Sequence, residues 1–551
     1  MAFAVMALVT GVVATVVYGL LASRWPAATP RAFLVLGVGL AISLSLAAAV
    51  ARPAAGLGGL AQRPPGSGDP AAAFASRLEQ RLPGWMERYG VPGVAVALVD
   101  DAEVVWAEAF GYADAERRRG LGVDALFRVE SISKSVSAWG VMKLVERGLV
   151  GLDDPVLDHL DAGTHPELAG LGPEVTVARL LTNSAGLPLG PIGKEYAPGA
   201  ALPSLGEFLA REARLVAEPG TRFMYSNVGY ALLELLVEEV TGRDFADYMR
   251  DEVLLPLGMR DSTFAWDDAH GAAMPTGYDL RGSPVAPYLY PARASGGLLA
   301  TVEDVGRFVA ASVSEPGAAD AWRLEPESVR ELQRPRVPVA GLFGFVADGY
   351  AAGHFVEELQ GGRRAVWHGG QGHGWMSHFH AVPEAGVGIV ILTNSQRSWP
   401  LMAEVLDDWA RWHGLGRVGM SAITTAAVAL RVLAGASAVA VMWLLLRTAI
   451  GLATGARRWE PFSRAHLRSR AVRVALGMAG SAALAWAAFQ PYLFVSSVFP
   501  DLVGSAAASF AALAAALIVS ALFPPRRAAS WSGSGANRLA GSDPAPGYGR
   551  A

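Results

Sequence analysis

Composition and charge set the first limits on what this chain can be. It has 551 residues, a formal net charge of −4, 52% hydrophobic residues and 17% charged residues, which is too apolar for a purely soluble protein. The slight negative charge argues against a nucleic-acid partner, because such proteins carry a basic surface. Cysteine is absent, so disulfides, thiolate metal sites and a cysteine nucleophile are excluded.

Two uncharged apolar stretches stand near the N-terminus, at residues 2–23 and 32–51. Each is long enough to cross a bilayer, which takes about 20 apolar residues, so we predict two transmembrane helices within residues 1–51. The second stretch has an alternative interpretation as a signal peptide, since it ends in Ala49-Val50-Ala51, a small-x-small pattern of the kind that signal peptidase cuts. The Gly/Pro-rich residues 52–70 predict a linker.

The middle of the chain, residues 71–415, predicts a domain built around a sheet. Residues 91–99 and 103–110 are rich in Val and alternate enough to predict paired strands across the turn at Asp100-Asp101. Three further strands and a closing amphipathic helix are expected at 364–368, 376–382, 387–393 and 401–413. We therefore expect an α/β (α+β) domain whose sheet is formed from both ends of the segment, with a mostly helical insertion between them.

A Ser-x-x-Lys pattern, Ser131 to Lys134, stands where a strand-like piece runs into an amphipathic helix. The three-residue spacing puts both side chains on one face of a helix. A hydroxyl at a helix N-terminus beside an ammonium has the environment that a nucleophilic serine needs, because both neighbours stabilise the developing alkoxide. The pattern alone is weak, since an N-cap serine with a surface lysine gives the same letters.

Two further patterns strengthen the catalytic interpretation. Tyr225 and Asn227 form a Tyr-x-Asn pattern before a helical stretch, and His368 and Gly370, followed by Gln371, form a His-x-Gly pattern on a candidate strand. With these motifs the chain resembles the serine β-lactamase and penicillin-binding protein superfamily, specifically its class C β-lactamase-like branch. The resemblance covers about residues 75–415 and includes residues 180–187, Gly296-Gly297-Leu298 and Asp304.

The resemblance implies a β-lactamase-like sheet domain and an acyl-enzyme mechanism without a cofactor. Ser131 would attack a carbonyl carbon, Lys134 would help to deprotonate Ser131, and Tyr225 would act as general base or proton shuttle. A phenol suits that task only if adjacent cations lower its pKa. Residues 183–185 are Asn-Ser-Ala where relatives commonly have His-Thr-Ser, which we interpret as tolerated loop variation.

The same resemblance assigns the substrate-binding residues. Asn227 would hydrogen-bond a substrate amide, and the backbone N–H groups of Ser131 and Gln371 would form the oxyanion hole. His368 and Gly370 would line the substrate-binding strand. His368 stands where class C β-lactamases carry a lysine that helps to bind the substrate carboxylate, which weakens the case for antibiotic hydrolysis, whereas family esterases and peptidases often show histidine there.

Four histidines follow one another closely at the third motif: His368, His373, His378 and His380. They raise the alternative of a metal site, since His378 and His380 would share one face of a strand. The segment has no His-Glu-x-x-His pattern and no carboxylate at ligand spacing, so we expect no metal.

Three more apolar stretches predict transmembrane helices within residues 421–523, at 421–454, 474–495 and 502–523. If the chain has five spans, its short Arg-rich loops all fall on one side, which the positive-inside rule makes the cytoplasm. The arginines concerned are Arg24, Arg31, Arg457, Arg458, Arg464, Arg468, Arg470, Arg473, Arg526 and Arg527. The middle domain is then extracytoplasmic, and residues 524–551 form a disordered cytoplasmic tail.

The sequence thus predicts a multi-pass membrane protein with an extracytoplasmic serine hydrolase domain that acts on an amide or ester, of the D-amino-acid peptidase, carboxypeptidase or esterase type. Its expected partners are a small-molecule or peptide substrate and the lipid bilayer. The alternative is a penicillin-binding sensor or acylating binding module without turnover, but the tail is too short for a cytoplasmic output domain. The acyl acceptor and the oligomeric state stay open.

Overall fold

The computed structural model describes residues 70–313, 323–341, 343–489 and 493–526. The chain divides into two compact units. Within the described residues, the first consists of residues up to 429 and of 493–503, and the second of 430–489 and 504–526. The predicted N-terminal spans, the linker up to residue 69 and the tail from residue 527 lie outside the described residues.

The strands of the described residues all belong to the first unit. They are β1 (Gly93–Asp100), β2 (Glu103–Asp114), β3 (Arg119–Gly120), β4 (Phe127–Arg128), β5 (Gly277–Tyr278), β6 (Pro284–Val285), β7 (Leu299–Ala300), β8 (Val337–Pro338), β9 (Gly349–Tyr350), β10 (Phe355–Glu358), β11 (Arg364–Gln371), β12 (Met376–Val382) and β13 (Val387–Thr393). Nine of them form one antiparallel sheet in the order β3-β2-β1-β13-β12-β11-β10-β9-β8, while β4 pairs with β7 and β5 with β6.

Helices cover both faces of this sheet and fill the insertion. The α-helices of the described residues are α1 (Pro70–Tyr89), α2 (Ile132–Glu146), α3 (Val177–Leu181), α4 (Leu205–Glu212), α5 (Asn227–Thr241), α6 (Phe245–Met249), α7 (Asp268–Ala273), α8 (Val302–Val313), α9 (Pro326–Leu332), α10 (Trp399–Trp412), α11 (Ser421–Ala453), α12 (Leu467–Phe489), α13 (Leu493–Val498) and α14 (Val503–Leu522). Short 3₁₀ turns at Val156–His159, Pro166–Leu171, Phe343–Phe345 and Pro383–Ala385, and a π turn at Arg250–Leu254, connect them.

Strand β1 has an almost unbroken run of apolar residues because both of its faces are buried. Val94 and Val96 pack into the core shared with α1 and α10, whereas Ala95 and Ala97 pack into the core shared with α2 and α8. Successive side chains of a strand point to opposite faces, so a strand covered by helices on both sides needs apolar residues throughout. The site described below lies on the α2 side.

The predicted strands and closing helix are all present, and some of them have shifted ends. Strands β12 and β13 have the predicted bounds, whereas β11 continues three residues beyond 368, to Gln371. Helix α1 was not predicted. It packs Phe74, Leu78 and Leu82 into the α10 side of the sheet at a helical spacing of four residues.

Three helices of the C-terminal region, α11, α12 and α14, are long and apolar enough to cross a membrane, by length and composition. This confirms the three predicted apolar helices, but not the bounds of the second. Helix α12 covers Leu467–Phe489 rather than 474–495, so it begins seven residues earlier than predicted. The short helix α13 that comes next belongs to the first unit.

Candidate active site

Ser131 is the residue directly before α2, immediately after the turn that follows β4. Its side chain makes no capping hydrogen bond to the helix, which removes the N-cap interpretation of the motif. Ser131 is partly exposed, whereas Lys134, one helical turn later, is fully buried. The lysine is therefore not a surface residue, and the pair has the arrangement expected of a nucleophile and its proton acceptor.

The Nζ atom of Lys134 lies within hydrogen-bond distance of three oxygen atoms. It lies 3.2 Å from Ser131 Oγ, 2.7 Å from Asn227 Oδ1 and 2.8 Å from the carbonyl oxygen of Ser295. Burial lowers the pKa of Lys134 well below its ordinary value, and the nearby Glu130 carboxylate opposes that shift only in part. Lys134 is thus favoured as a neutral amine, the form that can take a proton from Ser131.

Tyr225 and Asn227 approach Ser131 from the start of α5. The Tyr225 hydroxyl hydrogen-bonds the Ser131 side chain, and Lys134 Nζ lies 4.7 Å from the centre of the Tyr225 ring. Burial raises the pKa of Tyr225, and the bond to Ser131 opposes this only in part. This direction is opposite to the lowered pKa that a phenol acting as general base requires, because desolvation disfavours the phenolate.

Asn183 holds the Tyr225 loop in place. It has a left-handed backbone, with φ of 52°, a conformation that asparagine adopts more readily than most residues. Its Oδ1 accepts the backbone N–H of Ser226 at 2.9 Å, and its carbonyl oxygen accepts that of Met224 at 2.7 Å. The Asn-Ser-Ala sequence is therefore not only tolerated loop variation, since Asn183 supports the second motif.

His368 lies behind Tyr225 rather than at the opening. Its side chain is buried, with Nε2 3.2 Å from the Tyr350 hydroxyl and Nδ1 2.9 Å from the Gly369 carbonyl oxygen. Burial lowers the pKa of His368 well below its ordinary value. A neutral imidazole supplies no cation for a substrate carboxylate.

Gly370 and Gln371 form the end of β11 that faces Ser131. A Cβ atom on Gly370 would lie 2.2 Å from Ser377 Oγ and 2.3 Å from the Val129 carbonyl oxygen, so only glycine allows this close approach. Gln371 is partly exposed. Its Nε2 donates to Ser497 Oγ of α13 at 3.1 Å, and its Oε1 accepts Trp399 Nε1 at 3.2 Å.

The four histidines do not converge. His378 and His380 share one face of β12, as predicted, but they pack against Trp399 and Trp409 of α10, on the opposite side of the sheet from the serine. His373 pairs with Glu195 at 3.2 Å. Among the described residues, no group of three or more His, Cys, Asp or Glu could hold a metal ion.

Comparison with known proteins places this geometry in a family. Residues 76–408, more than half of the chain, match the family model described as Beta-lactamase. The chain belongs to the beta-lactamase family. In this family member, Ser131, Lys134, Tyr225 and Asn227 converge from separate elements on one opening, while His368 and Gly370 support it from behind.

Relatives of this beta-lactamase family member carry several activities in their names. The chain is 30% identical over 343 residues to a D-aminopeptidase of Gluconobacter oxydans, which is 58% of this chain and 59% of that relative, so the match spans less than two thirds of the relative's own length. It is 30% identical over 336 residues to penicillin-binding protein 4 of Amycolatopsis lactamdurans, which is 56% of this chain and 84% of that relative. The octameric penicillin-binding protein homologue from Pyrococcus abyssi superposes with a TM-score of 0.53 at 30% identity, covering 62% of this chain and 78% of that one.

The supporting roles of three residues were not predicted from the sequence. Glu130 precedes Ser131, Asn183 holds the Tyr225 loop, and the Ser295 carbonyl oxygen accepts a hydrogen bond from Lys134. A backbone carbonyl gives no signal in a sequence. Glu130 did give a signal, because a carboxylate needs a charged partner if it is buried, and Arg128 stands two residues before it in the sequence.

Proposed function

We propose that the protein is a membrane-anchored extracytoplasmic serine hydrolase that forms an acyl-enzyme on Ser131 with an amide or ester substrate. The observation that carries the proposal is the buried Lys134 amine, 3.2 Å from the Ser131 hydroxyl and favoured in its neutral form. A buried lysine at that distance from a serine is an activated proton acceptor.

The acylation step follows from the contacts of Lys134. In the neutral amine, two N–H bonds donate to Asn227 Oδ1 and to the Ser295 carbonyl oxygen, which leaves the nitrogen lone pair for the Ser131 O–H. Ser131 Oγ bonds to the substrate carbonyl carbon as its proton passes to Lys134. The carbonyl oxygen gains negative charge, which the backbone N–H groups of Ser131 and Gln371 would accept.

Tyr225 is suited to passing a proton to the leaving group. Its raised pKa keeps the hydroxyl protonated, and the hydroxyl touches Ser131. As the carbon–nitrogen or carbon–oxygen bond breaks, the departing amine or alkoxide takes the Tyr225 proton, and Tyr225 regains one from the Lys134 ammonium. Water then attacks the ester on Ser131 while Lys134 takes one of its protons. The bond from the acyl carbon to Ser131 Oγ breaks, Ser131 regains its proton from the Lys134 ammonium, and the carboxylic acid leaves.

The substrate class is an amide or ester, with D-amino-acid peptides the leading candidates. Relatives named D-aminopeptidase, penicillin-binding protein and esterase EstB support this range of acyl donors. The neutral, buried His368 provides no cation for the carboxylate that β-lactam antibiotics carry, so we expect β-lactam turnover to be slow.

Active-site labelling tests the nucleophile. Membranes containing the full chain are treated with a fluorescent fluorophosphonate and, in parallel, with fluorescent penicillin, and loss of label is followed over time. We expect the wild type to label and Ser131→Ala to stay unlabelled, while Ser283→Ala, at an exposed serine, labels like the wild type. A folded wild type that takes neither probe would overturn the proposal, and penicillin label that persists without substrate turnover would favour the binding-module alternative.

The membrane placement rests on the three apolar helices and on the arginines of the loop between α11 and α12. Because the chain has no cysteine, single cysteines can be introduced without background. A membrane-impermeant maleimide added to intact cells should label Ser283→Cys in the catalytic domain but not Phe462→Cys in that loop, where Phe462 is exposed. The reverse pattern would contradict the proposed orientation.

A further inference from the structure

The backbone directly before the nucleophile is in an unusual conformation. Glu130 has φ of 49°, in the left-handed region that side chains other than glycine, asparagine and aspartate rarely occupy. The turn at this residue places Ser131 at the start of α2, with the N–H of Ser133 bonded to the Glu130 carbonyl oxygen at 2.8 Å. A residue held in such a conformation needs its surroundings to hold it there.

The side chain of Glu130 provides that hold. It is buried, and its carboxylate accepts hydrogen bonds from Arg128 Nε at 3.0 Å, from the Tyr288 hydroxyl at 2.9 Å and from the Tyr290 hydroxyl at 3.1 Å. The Arg128 guanidinium lies over both tyrosine rings, 4.2 Å and 5.0 Å from their centres. We call Arg128, Glu130, Tyr288 and Tyr290 the Glu130 cluster; buried charges are stable only when paired and hydrogen-bonded in this way.

The Glu130 cluster also lies against the end of β11. A Cβ atom on Gly370 would be 2.9 Å from Glu130 Cβ, and one on Gly372 would be 2.2 Å from Glu130 Oε1. Gln371 lies between these two glycines. The Tyr288 hydroxyl accepts the backbone N–H of His373 at 2.9 Å, so the cluster contacts the strand end through both glycine backbones and a hydrogen bond.

From this geometry we propose that Glu130 is a positioning residue that fixes the separation between the backbone N–H groups of Ser131 and Gln371. Its backbone orients the first of these groups, and its side chain supports the strand that carries the second. The inference rests on the proposed function, because it assigns the Glu130 cluster to the oxyanion hole of that reaction. Donors of this kind act only when they are held in place for the developing charge.

Glycine and glutamine at position 130 separate the possible roles. Glu130→Gly removes the side chain but suits the left-handed backbone, whereas Glu130→Gln keeps the volume and a carbonyl acceptor. We expect Glu130→Gly to lower kcat and the fluorophosphonate labelling rate by about 10²-fold, since one oxyanion-hole donor contributes that much, with KM within about threefold. Glu130→Gln should recover at least about tenfold of the loss. The matched control is Arg118→Gly, which changes a second residue of positive φ, one that is exposed rather than buried, and should leave both rates unchanged.

Amide hydrogen exchange on the full chain gives a second readout that needs no activity. Glu130→Gly should speed exchange in residues 129–132 and 370–373 together, and Arg118→Gly in neither. Wild-type kcat in folded Glu130→Gly, or unchanged exchange in both segments, would overturn the proposal, as would a fall in melting temperature alone. Absence of label on the wild type would instead count against the proposed function, while the exchange experiment would still decide the role of Glu130.

Discussion

Two groups of buried titratable side chains lie on opposite sides of the same hairpin, β11–β12, and only one of them has the geometry of an active site. On the α2 side, Lys134 faces a partly exposed serine and its amine is within 3.2 Å of the hydroxyl. On the α10 side, His378 Nε2 lies 3.4 Å from His380 Nδ1, and His380 Nε2 lies 3.2 Å from Glu357 Oε1.

The difference lies in access and in what the buried group faces. His378 and His380 are completely buried beneath tryptophans of α10, so no substrate reaches them through the described structure. Lys134 is equally buried, but its amine contacts the hydroxyl of Ser131, and Ser131 is partly exposed to solvent. Strongly shifted pKa values thus occur in both groups, as they do in structural networks generally. The difference is that only Lys134 lies next to a partly exposed serine hydroxyl.

The largest expected effect is on Lys134. Replacing it in Lys134→Met keeps a long buried side chain but removes the proton acceptor, and we expect kcat to fall by about 10³-fold. Lys143→Met is the matched control, because Lys143 lies on the same helix and donates instead to the Arg323 carbonyl oxygen. Steady-state kinetics on a chromogenic ester would measure both, and near-normal turnover in Lys134→Met would remove Lys134 from the mechanism.

The pH dependence of acylation should follow the same lysine. Since burial lowers the Lys134 pKa, the neutral amine is lost only as the pH falls through that lowered value, and the labelling rate should then fall by about tenfold per pH unit. The charged or titratable groups around it are Glu130, Tyr225, Tyr230 and His368. Labelling rates measured from about pH 4 to pH 9 test this; a rate that rises on acidification would exclude a neutral lysine base.

His354 should make the free energy of unfolding fall as the pH is lowered. Burial lowers its pKa to about 4, so the unfolded chain binds a proton at higher pH than the folded one. This contribution to stability is complete above about pH 6.5 and is lost as the pH falls toward 4, amounting to about 3 kcal/mol. Denaturant unfolding of the wild type and His354→Phe at both pH values would show it; an equal acid effect in the variant would contradict it.

The smallest effect on catalysis is expected at the histidine pair. His378→Asn removes a buried ring from the α10 side and should lower the free energy of unfolding by about 1–3 kcal/mol, while kcat/KM of the folded enzyme stays within about twofold. Thermal unfolding and ester hydrolysis measure the two quantities. A loss of activity above about tenfold in folded protein would show that the histidine pair contributes to activity and contradict this prediction.

Much of the geometry of the candidate site was predictable because it is local. Ser131 and Lys134 are three residues apart, so a single helical turn brings them together. The alternating strands at the two ends of the domain also predicted the central sheet, and β12 and β13 have the predicted bounds. Helix α1 was not predicted because its stability comes mostly from packing its apolar face against the sheet and α10, which are distant in the sequence.

By itself, the sequence determined the order of the three motifs, the sheet made from both ends of the domain and the apolar C-terminal helices, because each depends on spacing along the chain. The tertiary structure alone decided that His368 is buried and neutral, that burial raises the Tyr225 pKa, and that Glu130 is held by two tyrosines. Those properties depend on solvent exclusion and on partners more than 150 positions away, such as Tyr288 from Glu130. A local sequence pattern specifies neither how far a side chain is excluded from solvent nor which distant residue it contacts.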